Sequence, residues 1–225
     1  MATSDKIKRR LQQKNKRSFA SDNISDCIEE GEIEELIDEL AVKFEGVLES
    51  MVIDYYHDEN SQDTPRRLAK MWIEELFEGR YQPRPKVTSF PNEGENKYNG
   101  MLVVRAEITS VCAHHHQTVK GVCYVGIIPN HRVIGLSKYV RIAQWCARRG
   151  TLQEELCNDI ARQICDVTGS PDVAVYIAAT HGCVEHRGVM AHSSLTQTTV
   201  LKGVFEESDV KKEFFDNIAL QEKHA

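Results

Sequence analysis

Two stretches of alternating, β-branched-rich sequence, Met101 to Val111 and Thr118 to Ile128, stand on either side of a six-residue connection. Alternation at period two is the mark of a strand with one buried face. Two such strands with so little chain between them constrain the fold more than any other feature here. The connection reads Cys112-Ala113-His114-His115-His116-Gln117, one thiol and three imidazoles within five positions. Any fold that pairs the strands gathers these groups on one loop.

The rest of the chain arranges itself around that pair. Residues 1–22 form a polar, basic segment carrying Lys6, Lys8, Arg9, Arg10, Lys14, Lys16 and Arg17, expected to be a flexible arm. From Ile33 to Met51 apolar residues recur every three or four positions, which predicts an amphipathic helix with an acidic, wetted outer face. Asp63-Thr64-Pro65 opens a second helix, with Thr64 as its cap and Pro65 in the first turn, running to about Gly79. Residues 80–99, rich in Pro, Asn and Gly, read as a connector, so that 23–99 is a helical region with its link.

Helices are expected from Ser137 to Arg149 and from Thr151 to Val167. Strands are expected from Asp172 to Ala179 and from Ser194 to Phe205, then a closing helix from Val210 to Leu220. Helices first, then strand-strand-helix-helix-strand-strand-helix, indicates an α+β protein with a four-stranded antiparallel sheet and two helices inserted between the strand pairs.

Composition excludes several classes. No apolar run is long enough to span a membrane, and no secretory core follows Met1. Seven unevenly spaced cysteines do not suggest a disulfide framework, and a cytoplasmic protein is expected. A net charge of −6 argues against a nucleic-acid binder, although local charge decides whether a small anion binds.

The chemistry-bearing residues fall into three groups. Cys-x-x-His sets two metal ligands on one loop, and Thr180-His181-Gly182-Cys183 supplies a second thiol. Two thiolates and one imidazole suit zinc and leave the fourth position to water. Spacing alone does not choose among His114, His115 and His116. Histidines beside the ligands, His114 and His181, are candidate proton carriers near neutral pH. Ser137, read as an N-cap, stands with Lys138 and Arg141 at a helix start, where free N–H groups and cations suit a phosphate, and Arg187 adds a cation near Cys183. Thr151-Leu152-Gln153-Glu154 has the pattern of a capping box, with Glu154 at N3.

Taken together, these stretches resemble the GTP cyclohydrolase I family. The resemblance is carried by Asp63-Thr64-Pro65-Arg66-Arg67-Leu68-Ala69-Lys70-Met71, by Thr109-Ser110-Val111-Cys112 with His114-His115, and by Gly135-Leu136-Ser137-Lys138 with Arg141-Ile142. It continues through Gln153-Glu154, His181-Gly182-Cys183 and Arg187-Gly188, and covers roughly residues 30–220. It implies a tunnelling fold over 100–225, with monomer sheets joined into pentameric barrels that stack as a homodecamer. It further implies conversion of GTP to 7,8-dihydroneopterin triphosphate and formate, as the first step of folate, biopterin or 7-deazaguanine synthesis.

By position, the resemblance makes Cys112, His115 and Cys183 zinc ligands, and His114 and His181 catalytic, with Ser137 sharing in proton transfer. Ser137, Lys138, Arg141 and Arg187, with Arg67 and Lys70 from a neighbouring subunit, would hold the triphosphate and ribose. Gln153 and Glu154 would read the guanine, in place of the capping box. The chain departs from the family at Ala113, where glutamate is usual, at His116 and Gln117, usually apolar, and at His186. Two rivals fit less of the sequence. A non-catalytic zinc-binding relative would be expected to lack the spare histidines or the phosphate-binding cations. A tunnelling-fold oxidoreductase would need a cysteine nucleophile and an NADPH site, for which no motif stands here.

Overall fold

A computed structural model describes residues 1–224 of the chain, which divide into two compact units, residues 1–83 and the chain from Arg84 onward.

The first unit is helical. Its helices are α1 (Thr3–Gln13), α2 (Glu32–Ser50), α3 (Thr64–Lys70) and the short α4 (Glu78–Tyr81), with a π-helical turn over Met71–Leu76 between the last two. The expected flexible arm is therefore a helix for much of its length. Ile7 and Leu11, one helical turn apart, are buried with Ile24 and Cys27. Burial of such side chains contributes about 1.5–3 kcal/mol each. The arm's cations meet the acidic face of α2 and the loop before it: Lys6 pairs with Glu35 at 3.2 Å, and Arg10 with Glu29 at 2.9 Å and with Glu32. A basic run and an acidic helix face, read separately from sequence, are the two sides of one packing contact. Farther along, α2 buries Ile37 and Ala41 against Ala69 and Ile73. Asp63, not Thr64, occupies the N-cap position of α3, and neither side chain makes a capping hydrogen bond.

The second unit holds a two-stranded ribbon, β1 (Ser89–Pro91) with β4 (Arg132–Ile134), and a five-stranded sheet. The sheet comprises β2 (Leu102–Cys112), β3 (Thr118–Ile127), β5 (Gly150–Thr151), β6 (Val173–His181) and β7 (Thr196–Leu201), in the order β5-β2-β3-β6-β7. The four long strands are antiparallel to their neighbours, and the two-residue β5 adds in parallel to the end of β2. The fifth strand and the ribbon were not foreseen, because segments of two or three residues carry no periodicity. The last strand stops at Leu201, and Phe205, expected at its end, lies in a 3₁₀ turn over Gly203–Glu206.

One face of the sheet is covered by α5 (Leu136–Ala147) and α6 (Gln153–Thr168), whose Ile142, Ile160 and Ile164 are fully buried against Val125, Val175 and Ile177. The opposite face takes α8 (Ser208–Glu222) through Phe214 and Ile218, packed with Tyr124 and Phe205. Gly126 on β3 makes that approach possible, since a Cβ there would stand 2.7 Å from the Phe214 ring. The α5 C-terminus is fixed to α6 by the buried Arg149, which lies 3.0 Å from Asp159 and stacks 3.9 Å over Trp145.

Candidate metal centre and active site

Strand register brings the site together. The β2–β3 connection is closed by hydrogen bonds from Cys112 N–H to Gln117 O and from His116 N–H to Cys112 O, both 2.9 Å, and His116 takes a left-handed φ of 51° to complete it. On the next strand Val119 faces His181, so β6 ends beside this loop, and Cys183 follows on α7 (Gly182–Glu185). Residues far apart in sequence thus meet at one end of the sheet.

The ligand atoms of Cys112, His115 and Cys183 all lie within 4.8 Å of one another, and Cys112 Sγ is 3.9 Å from His115 Nδ1. A tetrahedral zinc with sulfur at about 2.3 Å and nitrogen at about 2.0 Å would hold its ligand atoms about 3.5–3.8 Å apart. The trio therefore fits such an ion with small adjustments. Burial raises the pKa of the Cys183 thiol above the ordinary range, the adjacent Cys112 raises it further, and Arg187 opposes both. A thiol that resists ionisation beside a second sulfur becomes an anionic ligand once a cation shares its charge. His116 does not join the trio among the described residues, and His114 lies beside His115 in an edge-to-face contact with ring centres 6.1 Å apart.

His181 is half-buried, and its Nε2 lies 2.8 Å from Gln153 Oε1. Burial lowers the pKa of its imidazole, while the carboxylates of Glu154 and Glu185 pull the other way. Glu154 is exposed in the first turn of α6 and within electrostatic reach of His181. Its neighbour differs. Gln153 is only 6% exposed, and its amide N–H groups face Ile177 O at 3.3 Å, Thr196 O at 3.1 Å and Thr198 Oγ1 at 3.2 Å. Both ends of the Gln153 amide, to which the resemblance assigned guanine reading, are thus engaged within the protein.

The expected capping box is absent in the form drawn from sequence. Leu152 occupies the cap position of α6, while Thr151 belongs to β5, paired with Cys112. Likewise Gly135, not Ser137, is the cap residue of α5. Ser137, Lys138 and Arg141 all lie within the first two turns. Among the described residues Lys138, Arg141 and Arg187 form no ion pair, unlike Arg66, which is held by Glu34 and Asp38. Arg67 and Lys70 stand on α3 in the other unit, with Arg67 3.2 Å from Asp63. What sequence did not disclose is β5, the segment joining the candidate metal ligand Cys112 to Gln153. Its one signal was the short interval between the two predicted helices.

A family model for GTP cyclohydrolase I matches residues 40–219. GTP cyclohydrolase 1 of Aeromonas salmonicida is 42% identical over 175 residues, covering 76% of this chain and 79% of that protein. The enzyme of the same name from Vibrio vulnificus is 41% identical, covering 70% and 73% respectively. Among solved structures, a QueF-like archaeosine synthase in the apo form aligns with 46% of this chain and 93% of its own, at a TM-score of 0.39 and 16% identity, too distant to bear on the argument. With a family model spanning most of its length and relatives above 40% identity, the chain belongs to the GTP cyclohydrolase I family.

Proposed function

We propose that this protein is a zinc-dependent GTP cyclohydrolase I, converting GTP and water to 7,8-dihydroneopterin triphosphate and formate, the opening step of pterin, folate or 7-deazaguanine synthesis. The observation that carries the proposal is the meeting of Cys112, His115 and Cys183 within 4.8 Å, at the sheet end where His181 also lies. Zinc held there would supply Lewis acidity, allowing water to act as a nucleophile near neutral pH.

The chain's own groups do the rest. The purine's C8 is a weak electrophile until N7 gains a proton, and His181 is the group suited to deliver it. Opening of the imidazole ring and a second hydrolysis release C8 as formate. His114, exposed beside the ligand His115, and Ser137 would move protons as the ribose opens and the new ring closes. Glu154 would read the guanine edge through its carboxylate. Lys138, Arg141 and Arg187, without anionic partners among the described residues, suit a triphosphate, with Arg67 and Lys70 contributed by a neighbouring subunit.

The same proposal makes the working molecule a tunnelling-fold homodecamer of two stacked pentamers. Its support within the chain is the sheet's two edges: among the described residues β2 is covered on its outer side only at Val111 and Cys112, and β7 pairs only with β6. Such edges invite strand pairing between copies. It also places the enzyme in the cytoplasm, a reducing compartment in which seven unbridged cysteines remain thiols.

The test is incubation of zinc-loaded protein with GTP, followed by oxidation and pterin fluorescence. Wild type is expected to form product, and Cys183→Ala and His181→Ala to lose it by at least a hundredfold. An inactive wild type with bound zinc and intact assembly would overturn the proposal, and a site that retains manganese or iron instead would overturn the choice of metal.

A further inference from the structure

The side chain of Gln153 presents an unusual set of contacts for a polar residue at the rim of an active site. It is 6% exposed, reaches out of the first turn of α6, and contacts β6, β7 and His181 together. The direction of its amide is not a free choice. Three acceptors, the carbonyls of Ile177 and Thr196 and the hydroxyl of Thr198, surround the nitrogen at 3.1–3.3 Å. Turning the amide over would set Oε1 against two carbonyl oxygens, with only the Thr198 hydroxyl able to donate to it. The nitrogen therefore stays on the strand side, and the oxygen stays 2.8 Å from His181 Nε2.

An amide oxygen only accepts. The nitrogen facing it must carry a hydrogen, so Nε2 of His181 donates to Gln153 Oε1 and the neutral ring has its lone pair at Nδ1. Nδ1 has no hydrogen-bond partner among the described residues. We propose that Gln153 is a positioning residue of the cyclohydrolase site: it fixes the ring plane and tautomer of His181, so that Nδ1 is the nitrogen that exchanges a proton with substrate. The inference rests on the functional reading above and deepens it.

The mounting explains why the amide can serve as a fixed reference. Two residues before Gln153, Thr151 pairs with the metal ligand Cys112 through β5, and Ile177, whose carbonyl the amide holds, lies on the strand that ends at His181. The amide thus links the strand of one ligand to the strand of the proton carrier. Glu154, next in sequence and exposed, remains free for substrate. Adjacent residues at one helix start divide the work, one facing inward to the histidine and one outward to the ligand.

Two measurements test this on the zinc-loaded oligomer. In steady-state kinetics with GTP, Gln153→Met, which keeps the side chain's length and removes its polar atoms, is expected to lower kcat by about 10–100-fold, with KM within about threefold. A raised KM with kcat preserved would mean that the amide binds substrate, and unchanged kinetics would mean that it is a scaffold; either overturns the proposal.

The second measurement needs neither turnover nor a stable Gln153 variant. Solid-state NMR of histidine ring nitrogens at pH 8.5, with His181 assigned by difference against His181→Ala, is expected to show hydrogen on Nε2 and a bare Nδ1. The opposite tautomer would overturn the proposal. Because this spectrum is read without GTP, a protein that fails to turn over GTP would remove the functional reading while leaving the tautomer assignment to stand or fall separately.

Discussion

The candidate metal trio and the buried amide show how differently two kinds of residue declare themselves. Cys112 and His115 are legible in sequence because a single loop carries both, and Cys183 because it repeats the same chemistry downstream. Replacing Cys183 by alanine removes one of three donors. Zinc content measured after dialysis is expected to fall at least tenfold, with the melting temperature of the metal-free protein changed little, because the thiol is only half-buried. Gln153 could not be read in this way. Its partners come from β6 and β7, and only strand register places them around it. Arg149 is a similar case: it is almost wholly buried against a carboxylate, with its side chain 5% exposed and that of Asp159 17%. Asp159→Ala, which leaves the guanidinium without this counter-ion, is expected to cost about 3 kcal/mol in denaturant unfolding.

At the scale of elements, periodicity located the long strands and the long helices and failed on the short ones. Two residues of β5 and three each of β1 and β4 are too few to show a pattern. The arm failed for another reason. Its apolar content is low, and only Ile7 and Leu11 on one face of α1, set against Ile24 and Cys27, make it a packed helix. Leu11→Ala is accordingly expected to destabilise the docking of α1 by about 2–4 kcal/mol, read as faster tryptic cleavage among its lysines and arginines.

The docked helix should also respond to acid. A hydrogen bond from Arg10 holds the Glu32 carboxyl below its ordinary pKa, against the opposing effect of burial. A folded-state pKa below the unfolded value means that the stabilisation is complete above the unfolded carboxylate pKa of about 4.3 and is lost as pH falls through the lower folded value. Amide-exchange protection of α1 is therefore expected to hold from neutrality to about pH 5 and to decline below pH 4, and the decline should weaken in Glu32→Gln.

At the scale of the whole molecule, the α+β class followed from element order, while assembly is a matter of edges. A five-stranded sheet that, among the described residues, leaves the outer sides of β2 and β7 largely unpaired has the means to join copies of itself. Sedimentation of the full chain is expected to give a mass ten times that of one subunit, and a stable monomer at micromolar concentration would contradict the proposed assembly.

In the proposed reaction the site formed by Cys112, His115, Cys183 and His181 removes C8 of GTP as formate. Its most direct test uses GTP labelled at C8 and the zinc-loaded protein. One labelled formate is expected per pterin formed, with neither product from His181→Ala. Label retained in the nucleotide, or phosphate released in its place, would contradict it.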